Sequence, residues 1–135
     1  MTRFKSLIVA AALLGATPAL ALEPINQEAH INKTLLQGFI ADKIADTCPQ
    51  MEPRKLRALG ELNKLKDYAL KKGYTAAEVR DFVTSKTEKA RGKKLAVEWL
   101  AKAGAKEGDV QAHCKVGRDE IAKASLIGYL LRDKG

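Results

Sequence analysis

The sequence predicts an all-α fold: a small single-domain helical bundle of about five helices, stapled by one disulfide. Three observations lead there. Alanine, leucine and lysine dominate the 135 residues while proline and aromatic residues are sparse, which is the composition of a helical domain. Apolar residues recur at three- and four-residue spacing through most of the chain, and no useful length of period-two alternation appears, so a sheet is not expected. Two cysteines fall at the end of the first expected helix and on the inward face of a late one. The chain has no internal repeat and no low-complexity segment.

The first residues, MTRFKSLIVAAALLGATPALALEP, come in three parts. Arg3 and Lys5 give a positive start, Leu7 to Ala16 is an apolar run, and Ala19-Leu20-Ala21 is a small-x-small pattern after Pro18. This layout predicts a secretory signal peptide over residues 1–21, cleaved near Ala21/Leu22. The run is shorter than the roughly 20 apolar residues of a spanning helix, and no later stretch is long enough either, so the chain is not expected to span a membrane. No cysteine follows the run, which excludes lipid anchoring on a first mature cysteine. The expectation is a translocated domain over residues 22–135, periplasmic in a bacterium. Losing Arg3 and Lys5 lowers the formal charge from +8 to about +6.

Within the domain the first helix is expected from about Asn32, a plausible cap, to Thr47. Leu36, Ile40 and Ile44 form its stripe, with Leu35 and Phe39 beside them. Cys48-Pro49 ends it, because the residue before proline is pushed out of helical geometry. After Pro53 a second helix follows, with Leu56, Leu59, Leu62, Leu65 and Ala69 as its apolar face and Gly73 as a left-handed terminator. Thr75 and Glu78 have capping-box spacing, and Tyr74 and Val79 stand where a hydrophobic staple closes. The short helix through Phe82 and Val83 should stop where Ser85 and Glu88 repeat that spacing. The next helix presents Gly92, Leu95, Ala96, Trp99 and Ala103 and ends at Gly104. Asp109 caps the last long helix, with Val110, Cys114, Gly117 and Ile121 inward, and Ser125 caps a final short turn carrying Leu126, Ile127, Leu130 and Leu131.

The stretch QAHCKVGRDE places His113 beside Cys114 and invites three readings. A metal site lacks every usual paired ligand spacing, since His30, His113, Cys48 and Cys114 are the only histidines and cysteines. Adjacent helical residues point about 100° apart, which works against one ion shared by His113 and Cys114 and against His113 as the base of a thiolate nucleophile. The c-type haem signature is absent. In a translocated domain, pairing of Cys48 with Cys114 is the stronger expectation. His113 then becomes a surface or boundary residue beside the bridge.

Lysines and arginines cluster in PRKLR, NKLK, LKK and EKARGKK. Many alternate with acids at helical spacing, as on a solvated face. Their functional reading is an anionic-partner surface, with Lys71, Lys72, Lys93 and Lys94 as candidates. Nucleic acid is not expected, because the compartment is wrong and no aromatic-interleaved basic platform exists to stack bases. Glu98, Asp119 and Glu120 have no second catalytic group paired with them. Gly117 and Gly128 suggest close backbone packing, and Trp99 falls on an apolar stripe.

The segments LLQGFIADKIADTC, LGELNKLKDYALKKGYTAAEVRDFV, EKARGKKLAVEWLAKAG and CKVGRDEIAKASLIGYLLR together resemble a domain-of-unknown-function family of small secreted helical proteins from Rhodobacter-like alphaproteobacteria. The pattern Cys114, Gly117-Arg118, Glu120-Ile121, Ser125, Ile127-Gly128, Leu130-Leu131-Arg132 is its most specific part. The resemblance implies the fold and the cysteine pair, no catalytic residues and no cofactor. It also associates such genes with neighbourhoods encoding the respiratory NADH dehydrogenase, a respiratory-complex context that supplies no mechanism.

Two functional classes follow. The first is a non-enzymatic periplasmic interaction or structural module binding an envelope protein or an anionic surface. The alternative is a small enzyme, or a cofactor or metal binder, using His113, Cys114 or surface carboxylates.

Overall fold

The computed structural model describes Gly15 and residues 21–135, so the expected signal peptide lies, but for Gly15 and Ala21, outside the described residues. A 3-10 turn at Ile25–Gln27 leads into α1 (Ala29–Thr47), followed by β1 (Met51–Pro53), α2 (Lys55–Lys72), α3 (Ala76–Thr84), α4 (Lys86–Lys102), α5 (Val110–Ala122), the four-residue α6 (Leu126–Tyr129) and β2 (Leu131–Asp133). Helix α1 is the axis of the bundle. Its C-terminal half packs on α4, α5 and α6, and its N-terminal half meets α2 and the 3-10 turn. The all-α expectation holds, with five longer helices and one short one among the described residues.

Most boundaries fall where local chemistry sets them. Thr75 accepts from the Glu78 N–H while the Glu78 carboxylate accepts from the Thr75 N–H, a complete capping box opening α3. Tyr74 and Val79 are both buried beside it, as a staple requires. Gly73 closes α2 in the left-handed region at φ 116°, open to glycine at no steric cost. Ser85 caps α4, but the Glu88 carboxylate turns to Asn26 and Arg91 instead of back to Ser85. Asp109 and Ser125 cap α5 and α6.

Helix α1 starts three residues before the expected Asn32. Its cap is Glu28, whose Oε2 accepts from the Ile31 N–H at 2.6 Å. Glutamate is not a preferred cap residue, so the sequence gives no local sign of it. Asn32 instead turns its amide to the carbonyls of Ile25 and Glu28.

Two apolar clusters form the interior. The larger joins Ile40 and Ile44 of α1 to Leu100 of α4 and to Ile127, Leu130 and Leu131 at the C-terminal end. Ile44 and Leu100 are almost fully buried, and each such side chain contributes about 1.5–3 kcal/mol. The smaller joins Ile31, Leu65, Ala69, Tyr74, Val79 and Phe82. The Cys48–Cys114 disulfide crosses the larger cluster and ties the end of α1 to α5. Gly128 lies so close to the backbone of Glu120 and Ile121 that no side chain fits, and Gly117 faces Ile44 and Met51, so both glycines serve close packing.

Four expectations need correction. A small sheet exists: β1 and β2 pair antiparallel, with Glu52 opposite Arg132, and an Arg132–Glu52 ion pair crosses them. Three-residue strands are too short to show alternation, and their partners are 80 residues apart in the chain, so no local pattern announces them.

The expected face of α2 is not a single face. Leu56, Leu59, Leu62 and Leu65 follow at three-residue steps, each about 60° short of a full turn, so Leu56 ends up opposite Leu65. Leu56 is 87% exposed and Leu65 7%. The inward residues are Leu65 and Ala69, with Ala58 partly buried.

On α4, Leu95 and Ala103 are exposed, whereas Ala96 and Leu100 are buried and Trp99 packs against the core.

Helix α5 buries His113, Cys114, Val116, Gly117 and Glu120, so Cys114 and Gly117 face inward as expected while Val110 and Ile121 are exposed. Glycine at 117 lets this flank seat closest to α1. His113 is therefore 1% exposed and not a surface residue.

Candidate functional site

Between α1, α2 and α4 lies a gap. The first half of α2 lines it with Ala58 and Leu62. Opposite them, α1 presents Leu35, Leu36, Gly38 and Phe39, and α4 presents Gly92 and Leu95. An open groove of about 730 Å³ results, lined also by Phe82, Val83, Leu126 and Leu130. Its surface is overwhelmingly carbon. Gly92 matters to its shape, because any Cβ there would collide with the Phe39 ring. Gly38 is the opposite case: a Cβ added there meets nothing within 4 Å.

Charges stand on the rim. Arg91 donates to Glu88, to the Asn32 Oδ1 at 2.8 Å and to the Asn26 carbonyl, so it joins α4 to the start of α1. Burial would raise the Glu88 carboxyl, but hydrogen bonds from Asn26 and Arg91 outweigh it and hold its pKa below the usual value. Glu61 accepts from Lys64 at 2.9 Å. Asp42 is held above the usual value by partial burial and by Asp46, with Lys93 opposing the shift. Lys33 and Lys89 also border the groove and have no ion-pair partner among the described residues.

The four candidate lysines do not form one patch. Lys72 Nζ donates to the buried Glu28 at 2.7 Å, and Tyr68 donates to the same carboxylate oxygen at 2.9 Å. Burial alone would raise Glu28, but hydrogen bonds from Lys72, the Ile31 N–H and Tyr68 overcome it and set its pKa at about 2. Lys72 therefore clamps α2 to the start of α1. Its ammonium is raised in turn by the hydrogen bond to Glu28. Reversing the charge of Lys72 would therefore break a contact that holds the fold together. Lys93 lies beside Asp42, fourteen residues further along α1, or about 21 Å from Glu28. Lys71 and Lys94 are exposed.

The His-Cys pair is not poised for chemistry. The Cys114 sulfur is bonded to Cys48. His113 Nδ1 lies 2.7 Å from the Asp109 carbonyl oxygen, which only accepts, so Nδ1 carries the proton. That leaves Nε2 buried without a hydrogen-bond partner among the described residues. Of the carboxylates, Asp119 is paired with Lys115, whose hydrogen bond lowers its pKa, and Glu120 accepts from Lys123 at 3.3 Å. Glu98 stands on the exposed side of α4. No three of the histidine, cysteine, aspartate and glutamate side chains gather as metal ligands among the described residues. The groove escapes sequence reading because it depends on how α1, α2 and α4 pack together. The one signal pointing to it is the three-residue leucine spacing, which cannot keep a single face.

Fold and site together define a disulfide-stapled helical domain with an open apolar groove on its central helix. The chain belongs to the DUF5333 family of unknown function, whose family model matches residues 23–132. No curated protein and no solved structure matches it. No helix among the described residues is long and apolar enough to cross a membrane.

Proposed function

We propose that the protein is a non-enzymatic binding module of the bacterial envelope, exported, cleaved near Ala21/Leu22 and periplasmic, which recognises an apolar element of an envelope component through the α1–α2–α4 groove. The observation that carries this is the groove itself: about 730 Å³ of carbon-lined space open to water. A concave apolar site of this size is the usual form of a binding site, and leaving it uncovered is unfavourable. The processing site is supported from the other direction. Tyr74 donates to the Glu23 carbonyl at 2.7 Å and Leu22 lies against Gly73, so residues just after the expected cut are held by the domain, and the family match begins at residue 23.

The basic surface has a secondary part in this reading. With Lys72 committed to Glu28, Lys71, Lys93 and Lys94 act as dispersed cations that speed encounter with an anionic partner without fixing it. The test is affinity capture from envelope extract by tagged wild type, Gly38→Leu and Lys93→Glu/Lys94→Glu, washed at low and high salt. Gly38→Leu fills the groove without a backbone clash. Partners kept at high salt, lost with Gly38→Leu and retained by the lysine reversals are the expected result. Partners lost at high salt and with the lysine reversals, yet kept by Gly38→Leu, would return recognition to the charged surface.

A further inference from the structure

Three of the basic clusters in the sequence, PRKLR, NKLK and LKK, fall on α2 or at its start, and the groove makes no use of them. The helix KLRALGELNKLKDYALKK carries six basic and two acidic side chains, a surplus of four positive charges. The same helix shows leucine to water. Leu56 is 87% exposed, Leu59 56% and Leu70 37%. At about 100° per residue these three fall within an arc of about 60°, spread over about 21 Å of the helix. They are aligned, not scattered, and they face away from buried Leu65.

Lysines bracket the arc. Lys55 and Lys66 stand about 20–40° beyond Leu59 on one side, and Lys71 about 60° beyond Leu56 on the other. All three are exposed. The ion pairs that α2 makes among the described residues are Lys64–Glu61 and Lys72–Glu28, so these three cations are left free. Asn63 stands within the arc, and Asp67 at its edge is the one acid on this side of the helix.

This arrangement selects a partner. A second copy would set the positive helix against itself, lysines facing lysines, and that opposes pairing. A convex ridge has no concavity for a small molecule. A leaflet with anionic lipid answers both features, because leucine can sink among the upper acyl chains while lysine stems carry their ammonium groups out to the headgroups. We infer that the outward side of α2 is a membrane-contact surface, lying on a leaflet that contains anionic phospholipid, with Leu56, Leu59 and Leu70 inserted and Lys55, Lys66 and Lys71 on the headgroups. The surface is separate from the groove and goes beyond the binding role proposed there.

The test is flotation of the mature protein with vesicles of phosphatidylcholine, either pure or with about a third phosphatidylglycerol, at low and high salt. Binding should require phosphatidylglycerol and fall tenfold or more at high salt, where screening shortens the reach of the lysines. Leu56→Ser/Leu59→Ser and Lys66→Glu/Lys71→Glu should each weaken it tenfold or more with circular dichroism unchanged, since all four side chains are exposed. Lys93→Glu/Lys94→Glu, with the same change in net charge, should weaken it much less, and Gly38→Leu should not weaken it. Leu56→Trp should be quenched by phosphatidylglycerol brominated on its acyl chains, beyond the level that Trp99 sets in the wild type. No binding to either vesicle, equal binding to pure phosphatidylcholine, or equal loss in the two lysine reversals overturns the proposal. So does loss of binding in Gly38→Leu, which would move the lipid to the groove. A dimer that Leu56→Ser/Leu59→Ser dissolves would also overturn it, by making a second copy the cover of this face. Vesicle binding as described with no groove-dependent capture sinks the groove reading alone, and the converse sinks this one alone.

Discussion

Breaking the Cys48–Cys114 bond should remove a large share of the domain's stability. The bond joins residues 66 apart in the chain, and closing a loop of that length takes about 4 kcal/mol of entropy from the unfolded chain, an upper figure. Domains of this size are stable by roughly 5–15 kcal/mol, so the loss is about a quarter or more of the total. The matching fall in Tm is on the order of 15 °C. Both cysteines are at most 1% exposed, so reduction of the folded protein should be slow and should speed up in mild denaturant. Cys48→Ala and Cys114→Ala keep the site apolar and avoid burying a stray hydroxyl. Urea and thermal unfolding of both single variants, the double variant and the reduced wild type should give four nearly equal losses, because two partners of one bond behave non-additively. A Tm that falls by only a few degrees on reduction, or single effects that sum in the double variant, would refute the reasoning.

Lys72→Glu should lower Tm clearly by facing a second carboxylate toward buried Glu28, while the neighbouring Lys71→Glu changes it little; thermal melts side by side decide this. Glu28 has a folded pKa of about 2 against 4.5 when unfolded, so its contribution is fully present above pH about 4.5 and is lost as pH falls toward about 2. Glu28→Gln should therefore lose stability at neutral pH and flatten the acid limb of a stability–pH curve. Gly128→Ala should destabilise severely or prevent folding, since its Cβ would overlap the Glu120 carbonyl, whereas Gly38→Ala should stabilise by up to about 1 kcal/mol through helix propensity. Intact-mass measurement of the exported protein should show a chain beginning at Leu22 and lighter by two protons than its reduced form; retention of Met1 would contradict export and cleavage.

Helix ends were legible in the sequence wherever one residue controls them. The Thr75–Glu78 box, the Gly73 terminator and the Asp109 and Ser125 caps are each local, and each stands where its spacing indicates. The Cys48–Cys114 pair was legible from cysteine number and from the compartment expected of the chain. What escaped depends on contacts distant in sequence. Glu28 caps α1 because Tyr68 and Lys72, forty residues away or more, hold its carboxylate. His113 is buried because Gly117 lets that flank of α5 approach Ile44 and Met51. The groove was hidden for the same reason: the leucines of α2 read as one stripe only if their 60° drift per step is ignored.

Recognition through the groove is best tested by site-specific photocrosslinking in living cells, with the photoreactive residue at Leu62 inside the groove or at Lys94 on the basic surface. The account predicts a discrete adduct from position 62 that disappears when Gly38→Leu is added, with little or none from position 94. Adducts from position 94 alone, or adducts from position 62 that survive Gly38→Leu, would contradict it.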